Sequence, residues 1–114
     1  MPSQEHEQLV AAILSAPPGA GTLEESRAGY DAMLMANPPP ADATIEEIDL
    51  GTCKADWVSV PESDASRAVL YLHGGGYVIG SKGGYSEFAS RLARACRARV
   101  LVLDYRLAPE HPFP

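Results

Sequence analysis

Two short apolar runs, residues 69–72 and 100–103, constrain the fold of this chain more than any other feature of its sequence. Each run is aliphatic or aromatic at every position, which is typical of a strand that is covered on both faces of a sheet. Between them, the spacing of Phe88, Leu92 and Cys96 predicts a helix over about residues 85–97. Those side chains are expected on its inner face, with Ala89 and Ala93 beside them. A buried strand, a crossover helix and a second buried strand predict a parallel pair. The fold class is therefore α/β.

A short amphipathic helix is predicted over residues 3–16, because apolar side chains recur there at helical spacing. Ser3 is its expected N-cap, and Pro17-Pro18-Gly19 is expected to stop it. This helix and the one that follows it cannot bury their apolar faces alone, so the pair is expected to pack on another part of the protein. The sequence leaves two roles open for the pair: ordinary core packing, or a lid over a pocket.

A second helix is predicted over about residues 23–36, since Thr22 and Glu25 have the spacing of a capping box. The proline run at 38–40 ends the helical region and forms a stiff connector. The inner face of this helix is expected to hold Leu23, Tyr30, Met33 and Leu34.

The hydrophobic period changes from residue 44 onward. Apolar and polar side chains alternate around residues 48–50 and again around 58–60, which predicts two half-exposed antiparallel strands. The chain therefore divides into residues 1–40, with the helices and the proline connector, and residues 41–114, with the sheet.

The composition excludes several classes of function. The 114 residues carry 9 basic and 15 acidic side chains, a net charge of −6, so nucleic acid is not an expected partner. No apolar run reaches the roughly 20 residues of a membrane helix, and the polar start of the chain lacks the pattern of a secretory signal. Cys53 and Cys96 have no metal-ligand spacing, which favours reduced thiols and a cytoplasmic location.

The turn after the first apolar run, His73-Gly74-Gly75-Gly76, has three possible interpretations. A phosphate cradle is disfavoured, because the segment matches neither the Walker nor the Rossmann glycine pattern. A plain turn explains three consecutive glycines poorly, since glycine loses much backbone entropy on folding. An oxyanion hole explains them better. Acyl transfer builds negative charge on a carbonyl oxygen, and exposed backbone N–H groups stabilise that charge.

Two motifs then give the chain a specific resemblance. The first is the histidine and three glycines at 73–76, and the second is the segment DYRLAPEHPFP at 104–114. Together they resemble the hormone-sensitive-lipase-like family of bacterial carboxylesterases, which has the α/β-hydrolase fold. The resemblance implies the N-terminal portion of that fold: two cap helices, an antiparallel strand pair, then a parallel βαβ unit. The sheet would be incomplete at Pro114, with the strand at 69–72 on its edge.

The same resemblance assigns roles to residues of the first motif. Gly75 and Gly76 correspond to the oxyanion-hole donors. Gly74 and Tyr77 correspond to substrate-binding positions, and His73 to the residue that supports the loop. The family relationship further implies hydrolysis of esters with short to medium acyl chains by a Ser-His-Asp mechanism, without a cofactor or a metal.

The chain departs from that family because it lacks the G-x-S-x-G nucleophile elbow. Ser81, Asp104 and His111 stand in the order of a triad, but we reject them because Ser81 lies beyond the glycine loop and not on an elbow. The triad is expected to follow residue 114.

The chain alone is therefore expected to be inactive. We expect it to dock on the remainder of the same enzyme, or on another copy, which would cover its exposed sheet edge. Two alternatives stay open: a non-catalytic relative that binds a small molecule in the same pocket, and a truncated structural or interaction module.

Overall fold

The computed structural model describes residues 1–16, 19 and 21–114. Within them the chain forms, in order, α1 (Gln4–Ser15), α2 (Leu23–Met35), β1 (Thr44–Asp49), β2 (Lys54–Ser59), β3 (Asp64–Tyr71), α3 (Ser86–Cys96) and β4 (Ala98–Asp104). The strands form one sheet in the order β1-β2-β4-β3. β2 is antiparallel to both neighbours, whereas β3 and β4 are parallel. The predicted α/β class, antiparallel pair and parallel βαβ unit are confirmed.

Both N-terminal helices begin at the predicted capping residues. Ser3 Oγ accepts a hydrogen bond from the His6 N–H at 3.3 Å. Thr22 Oγ1 accepts from the Glu25 N–H at 3.2 Å, and the Glu25 carboxylate accepts from the Thr22 N–H at 2.8 Å, which completes the capping box. The predicted stop of α1 at Pro17-Pro18 lies outside the described residues. None of the helices described here combines the length and hydropathy that crossing a membrane requires.

The hydrophobic core lies between α3 and one face of the sheet. Val58, Val100 and Val102 are fully buried there, and they belong to one cluster with Ala89 and Ala93 of the helix. The register of the strands explains this grouping, because Val58 lies opposite Val100 and the alternating side chains of β4 share a face.

The inner face of α3 agrees with the prediction for Ala89 and Ala93 and differs from it for the larger residues. Its buried residues are small, namely Ser86, Ala89, Ser90 and Ala93. Phe88 is exposed, and Leu92 and Cys96 are only partly buried. Small side chains let a helix lie close on the sheet, so they occupy the centre of the contact and the larger residues flank it.

The prediction that β3 is covered on both faces is wrong for this structure. Leu70 is 60% exposed and Leu72, just after the strand, is 59% exposed. Of the described helices, only α3 packs extensively on the sheet, so the face that carries Leu70 has no second layer. β3 also lies at the edge of the sheet, as expected.

The predicted inner face of α2 is right for Leu23, Tyr30 and Leu34, which are partly buried, and wrong for Met33, which is exposed. Arg27 completes the same stripe and is also partly buried. The apolar pattern of the sequence did not predict that Arg27 belongs to this face. An arginine can bury its aliphatic stem while its guanidinium remains hydrogen-bonded.

Candidate functional site

The glycine loop follows β3 and folds back on itself in a tight turn. The carbonyl oxygen of Gly75 accepts hydrogen bonds from the N–H groups of Val78 and Ile79, both at 3.1 Å. Gly75 has a φ of +129°, and a Cβ at this position would lie 2.0 Å from the carbonyl oxygen of Ile79. Only glycine fits there, so the turn depends on the middle residue of the triple-glycine motif.

The exit of the loop is equally restricted. Gly80 has a φ of +100°, and a Cβ there would lie 2.7 Å from His73 Nδ1 and 2.8 Å from the Gly74 carbonyl oxygen. His73 Nδ1 is itself 2.8 Å from that oxygen. A carbonyl can only accept, so this contact places a proton on Nδ1. The backbone at Gly80 thus closes the loop directly over the histidine.

His73 is held beneath the loop by two tyrosines. Its ring is 3% exposed and stacks on Tyr105, with centroids 4.3 Å apart, and on Tyr85, at 5.5 Å. Tyr105 also donates its hydroxyl to the His73 carbonyl oxygen. Burial, and then a hydrogen bond with Tyr30, raise the pKa of Tyr85, which therefore stays a neutral phenol. These contacts are the kind that a loop-supporting residue needs.

The N–H groups of the three glycines take no part in these internal contacts. Among the described residues, the N–H groups of Gly74, Gly75 and Gly76 donate to no other protein group. By contrast, the carbonyl oxygens of Gly74 and Gly75 accept hydrogen bonds from within the loop, and the Tyr77 carbonyl oxygen accepts from the Ala108 N–H at 2.9 Å. Within the part of the chain that is described, the loop therefore offers a row of three free donors.

Two open clefts border this row of donors. One, of about 460 Å³, is lined by Leu72, His73, Gly74, Gly75, Gly76, Tyr77 and Tyr105. The other, of about 1060 Å³, runs from Thr52 and Cys53 along the segment that follows β4. The two clefts share Gly76, Tyr77 and Tyr105, and the Tyr77 side chain is 76% exposed between them.

An ion-pair cluster anchors the segment that leaves the loop. Lys82 Nζ lies 2.8 Å from Asp56 and 2.9 Å from Glu47, and the Lys82 N–H donates to Asp104 at 3.2 Å. Burial by itself lowers the pKa of Lys82, but the bonds to the two carboxylates outweigh it and raise that pKa. The cluster thus ties the loop exit to β1, β2 and the end of β4.

Arg27 joins the loop to α2, and sequence reasoning missed it. Its Nε–H donates to the Val78 carbonyl oxygen at 2.8 Å, and one terminal nitrogen donates to the Ala108 carbonyl oxygen at 2.9 Å. The guanidinium also forms a two-point pair with Glu110 at 2.7 and 2.8 Å. The feature of the sequence that could have indicated Arg27 is its helical spacing, which places it on the same face of α2 as Leu23 and Tyr30.

The structure does not connect the rejected triad. Ser81 Oγ accepts from the Gly84 N–H at 3.2 Å, whereas Asp104 accepts from the Lys82 N–H. His111 is exposed, and no hydrogen bond within the described residues joins these three side chains. Within residues 1–16, 19 and 21–114, no three His, Cys, Asp or Glu side chains form a group that could hold a metal ion.

Comparison with known proteins identifies the fold. The profile of the alpha/beta hydrolase fold matches residues 69–114, which contain both motifs, the helix between them and the end of β3. A solved esterase from the bacterial hormone-sensitive lipase family superimposes on the whole chain with a TM-score of 0.87 and 38% identity. The chain has the N-terminal part of the α/β-hydrolase fold. It resembles the corresponding part of the hormone-sensitive-lipase-like esterases.

Two curated relatives of this chain are bacterial hydrolases by name. An acetyl-hydrolase of Streptomyces hygroscopicus is 40% identical over 98 residues, which is 82% of this chain and 31% of the relative. An ethyl acetate hydrolase of Pseudomonas putida is 34% identical over 94% of this chain and 38% of its own length. The solved esterase is likewise covered over 39% of its length. The chain thus spans about a third of the proteins that it matches.

Proposed function

We propose that this chain supplies the oxyanion hole of a serine carboxylesterase, with the N–H groups of Gly75 and Gly76 as donors. The observation that carries the proposal is the contrast between donors and acceptors in the glycine loop. The N–H groups of its three glycines are free among the described residues, while the carbonyl oxygens of Gly74, Gly75 and Val78 accept hydrogen bonds. The loop follows β3, and the second motif follows the parallel strand β4, so both lie at the carboxyl end of the sheet. Open α/β sheets bind their ligands at that end.

The chemistry requires groups that follow residue 114. A serine from that part of the enzyme attacks the ester carbonyl, and a histidine takes the serine proton and passes it to the leaving alcohol. The negative charge that forms on the carbonyl oxygen is stabilised by the Gly75 and Gly76 N–H groups. Water then hydrolyses the acyl-enzyme by the same two steps. In this proposal Gly74 and Tyr77 line the substrate cleft, and His73 supports the loop.

We propose esters of short to medium acyl chains as substrates. The acetyl-hydrolase and ethyl acetate hydrolase names of the relatives support the short end of that range. The clefts on either side of Tyr77 and Tyr105 are open and largely apolar, which suits acyl chains of various lengths. Residues 1–40 would contribute to a cap above these clefts, and residues 41–114 would form the first part of the catalytic core.

The proposed partner of this chain is the remainder of the same enzyme. β3 is an edge strand, so one row of its backbone N–H and C=O groups has no strand to pair with among the described residues. Leu70 and Leu72 extend an apolar surface beside that edge. A further strand with a covering helix would satisfy both features, and another copy of the chain is the competing occupant.

The test compares the 114-residue chain with the complete polypeptide that contains it. We expect the complete protein to hydrolyse p-nitrophenyl acetate and butyrate. With a serine-directed fluorophosphonate it should gain the mass of one phosphonyl group, which is the inhibitor less HF, because the serine oxygen displaces fluoride. The chain alone should do neither. A complete protein that binds the butyrate ester without turnover or labelling would favour a non-catalytic binding relative and would contradict the proposal.

A further inference from the structure

We propose that Arg27 is a positioning residue that sets the geometry of the glycine loop from helix α2. The inference rests on the function proposed above, because it assigns a residue outside both motifs to the oxyanion hole. Four hydrogen bonds carry it, each between 2.7 and 2.9 Å. Their acceptors belong to the two segments that follow β3 and β4, so a single guanidinium joins three parts of the chain.

The bonds of Arg27 form a closed ring with the loop. Arg27 donates to the carbonyl oxygens of Val78 and Ala108, while the Ala108 N–H donates to the carbonyl oxygen of Tyr77, the neighbour of Val78. The ring thus holds two consecutive carbonyl groups of the loop, those of Tyr77 and Val78, in hydrogen bonds with groups outside the loop. In a peptide plane the carbonyl and the N–H point in opposite directions, so fixing these carbonyl groups fixes the direction of the adjoining amides.

The ring of hydrogen bonds is connected to the turn at Gly75 and Gly76, whose N–H groups are the proposed donors. The Val78 and Ile79 N–H groups donate to the carbonyl oxygen of Gly75. The peptide between Val78 and Ile79 is therefore bonded to Arg27 on its carbonyl side and to Gly75 on its N–H side. A displacement of Arg27 is transmitted through this one peptide to the turn of Gly75 and Gly76.

An arginine is required for this arrangement, and a lysine cannot replace it fully. The planar guanidinium directs its donors in a fixed fork, so it can bond two carbonyl groups and both carboxylate oxygens of Glu110 at once. A lysine ammonium has three donors at a single point and would satisfy part of this set. The hydrogen bond from Arg27 also lowers the pKa of Glu110 to about 2, so the carboxylate stays charged at neutral pH.

A merely structural ion pair is the competing explanation, and the chain offers a matched control. Arg94 of α3 forms a two-point pair with Asp42 at 2.9 Å and a further bond with Glu62. Like Arg27, it is a guanidinium paired with a carboxylate that is distant in the sequence, 52 residues away for Asp42 and 32 for Glu62. These three bonds, unlike those of Arg27, do not reach the glycine loop or the segment after β4.

The experiment uses the complete esterase with Arg27→Gln, Arg27→Lys, Glu110→Gln and Arg94→Gln. We expect Arg27→Gln to lower kcat by about 10- to 100-fold with KM within about twofold, as a shift of the donors by a fraction of an ångström does. Arg27→Lys should recover part of that loss, and Glu110→Gln should lose less than Arg27→Gln because both carbonyl bonds remain. Arg94→Gln should keep kcat within about twofold of the wild type.

Two further readouts separate positioning from folding. A trifluoromethyl ketone, which mimics the oxyanion, should bind Arg27→Gln more weakly in proportion to the loss of kcat, while the melting temperatures of Arg27→Gln and Arg94→Gln fall by similar amounts. An unchanged kcat in Arg27→Gln, or an equal loss in Arg94→Gln, would overturn the assignment.

Amide hydrogen exchange makes the outcome independent of the proposed function. If the wild-type protein has no esterase activity, the function proposed above fails, but exchange of residues 75–79 still tests the ring. Faster exchange there in Arg27→Gln and not in Arg94→Gln would support control of the loop by α2. Unchanged exchange in both variants would refute it.

Discussion

Replacement of Gly75 by alanine tests the glycine loop directly, because the structure specifies where the added carbon would go. A Cβ at this position would lie 2.0 Å from the Ile79 carbonyl oxygen, and real Cβ atoms essentially never come closer than 3.0 Å. The clashing atom belongs to the backbone, so no side-chain rotation relieves the contact. The turn must open by about 1 Å. Opening weakens the two hydrogen bonds that Gly75 accepts.

The expected cost follows from these terms. An alanine at positive φ costs about 1–2 kcal/mol, and each weakened hydrogen bond costs up to about 1 kcal/mol. We expect Gly75→Ala to lower the free energy of unfolding by about 2–4 kcal/mol. A donor displaced by about 1 Å should also lower kcat of the complete esterase by roughly 100-fold.

Gly51→Ala provides the control for backbone strain alone. Gly51 lies in the turn between β1 and β2 with a φ of +85°, and a Cβ there would meet nothing within 4 Å. Gly51→Ala should therefore lower the free energy of unfolding only by the cost of positive φ, about 1–2 kcal/mol, and leave kcat unchanged. Urea denaturation and hydrolysis of p-nitrophenyl acetate measure the two effects. Equal destabilisation by both variants, or a Gly75→Ala enzyme within threefold of wild-type kcat, would refute the reasoning.

Three further predictions concern the supports of the site. Tyr30→Phe removes the 2.8 Å hydrogen bond with the Tyr85 hydroxyl and should lower the free energy of unfolding, measured by urea denaturation, by about 1 kcal/mol. An unchanged free energy of unfolding would show that water replaces the bond. Lys82→Met leaves the buried Asp56 carboxylate without its cation and should lower the free energy of unfolding by about 3 kcal/mol at pH 7. The loss should be smaller in the double variant that also carries Asp56→Asn, because no buried charge is then left unpaired. The pKa of Glu110 in the folded protein is about 2, below its ordinary 4.5. The stability that its bond to Arg27 contributes should therefore be fully present above pH 4.5 and be lost as the pH falls towards 2. Carbon NMR titration of the Glu110 carboxyl should give that low midpoint, and a midpoint near 4.5 would contradict it.

The sequence predicted those parts of the fold that depend on local rules. The capping box at Thr22 and Glu25, the alternating strands and the helix between the apolar runs all follow from neighbours in the chain. The glycine loop was also predictable, because a strand end followed by three glycines restricts what the backbone can do. Its detailed geometry was not, since the contact of Gly75 with Ile79 arises only once the turn has closed.

Arg27 shows why other parts of the site were not predictable. Two of its acceptors are backbone carbonyl groups, which leave no mark in the amino-acid sequence. Its side-chain partner, Glu110, lies 83 residues away. The prediction for the inner face of α3 missed Ser86 and Ser90 for a related reason. These small side chains are buried because the helix lies close on the sheet, and not because they are hydrophobic.

The largest discrepancy between sequence and structure, at residues 69–72, has a physical meaning for the proposed function. An entirely apolar strand predicts two covered faces, yet Leu70 is 60% exposed and Leu72 is 59% exposed. Covering the exposed part of the two leucines is worth about 1–2 kcal/mol each, a substantial part of the roughly 5–15 kcal/mol that stabilises a typical domain. The same strand carries the glycine loop at its end. A partner that covers β3 would therefore stabilise the sheet and hold the proposed oxyanion donors in place through the same contacts, so folding and activity should be gained together.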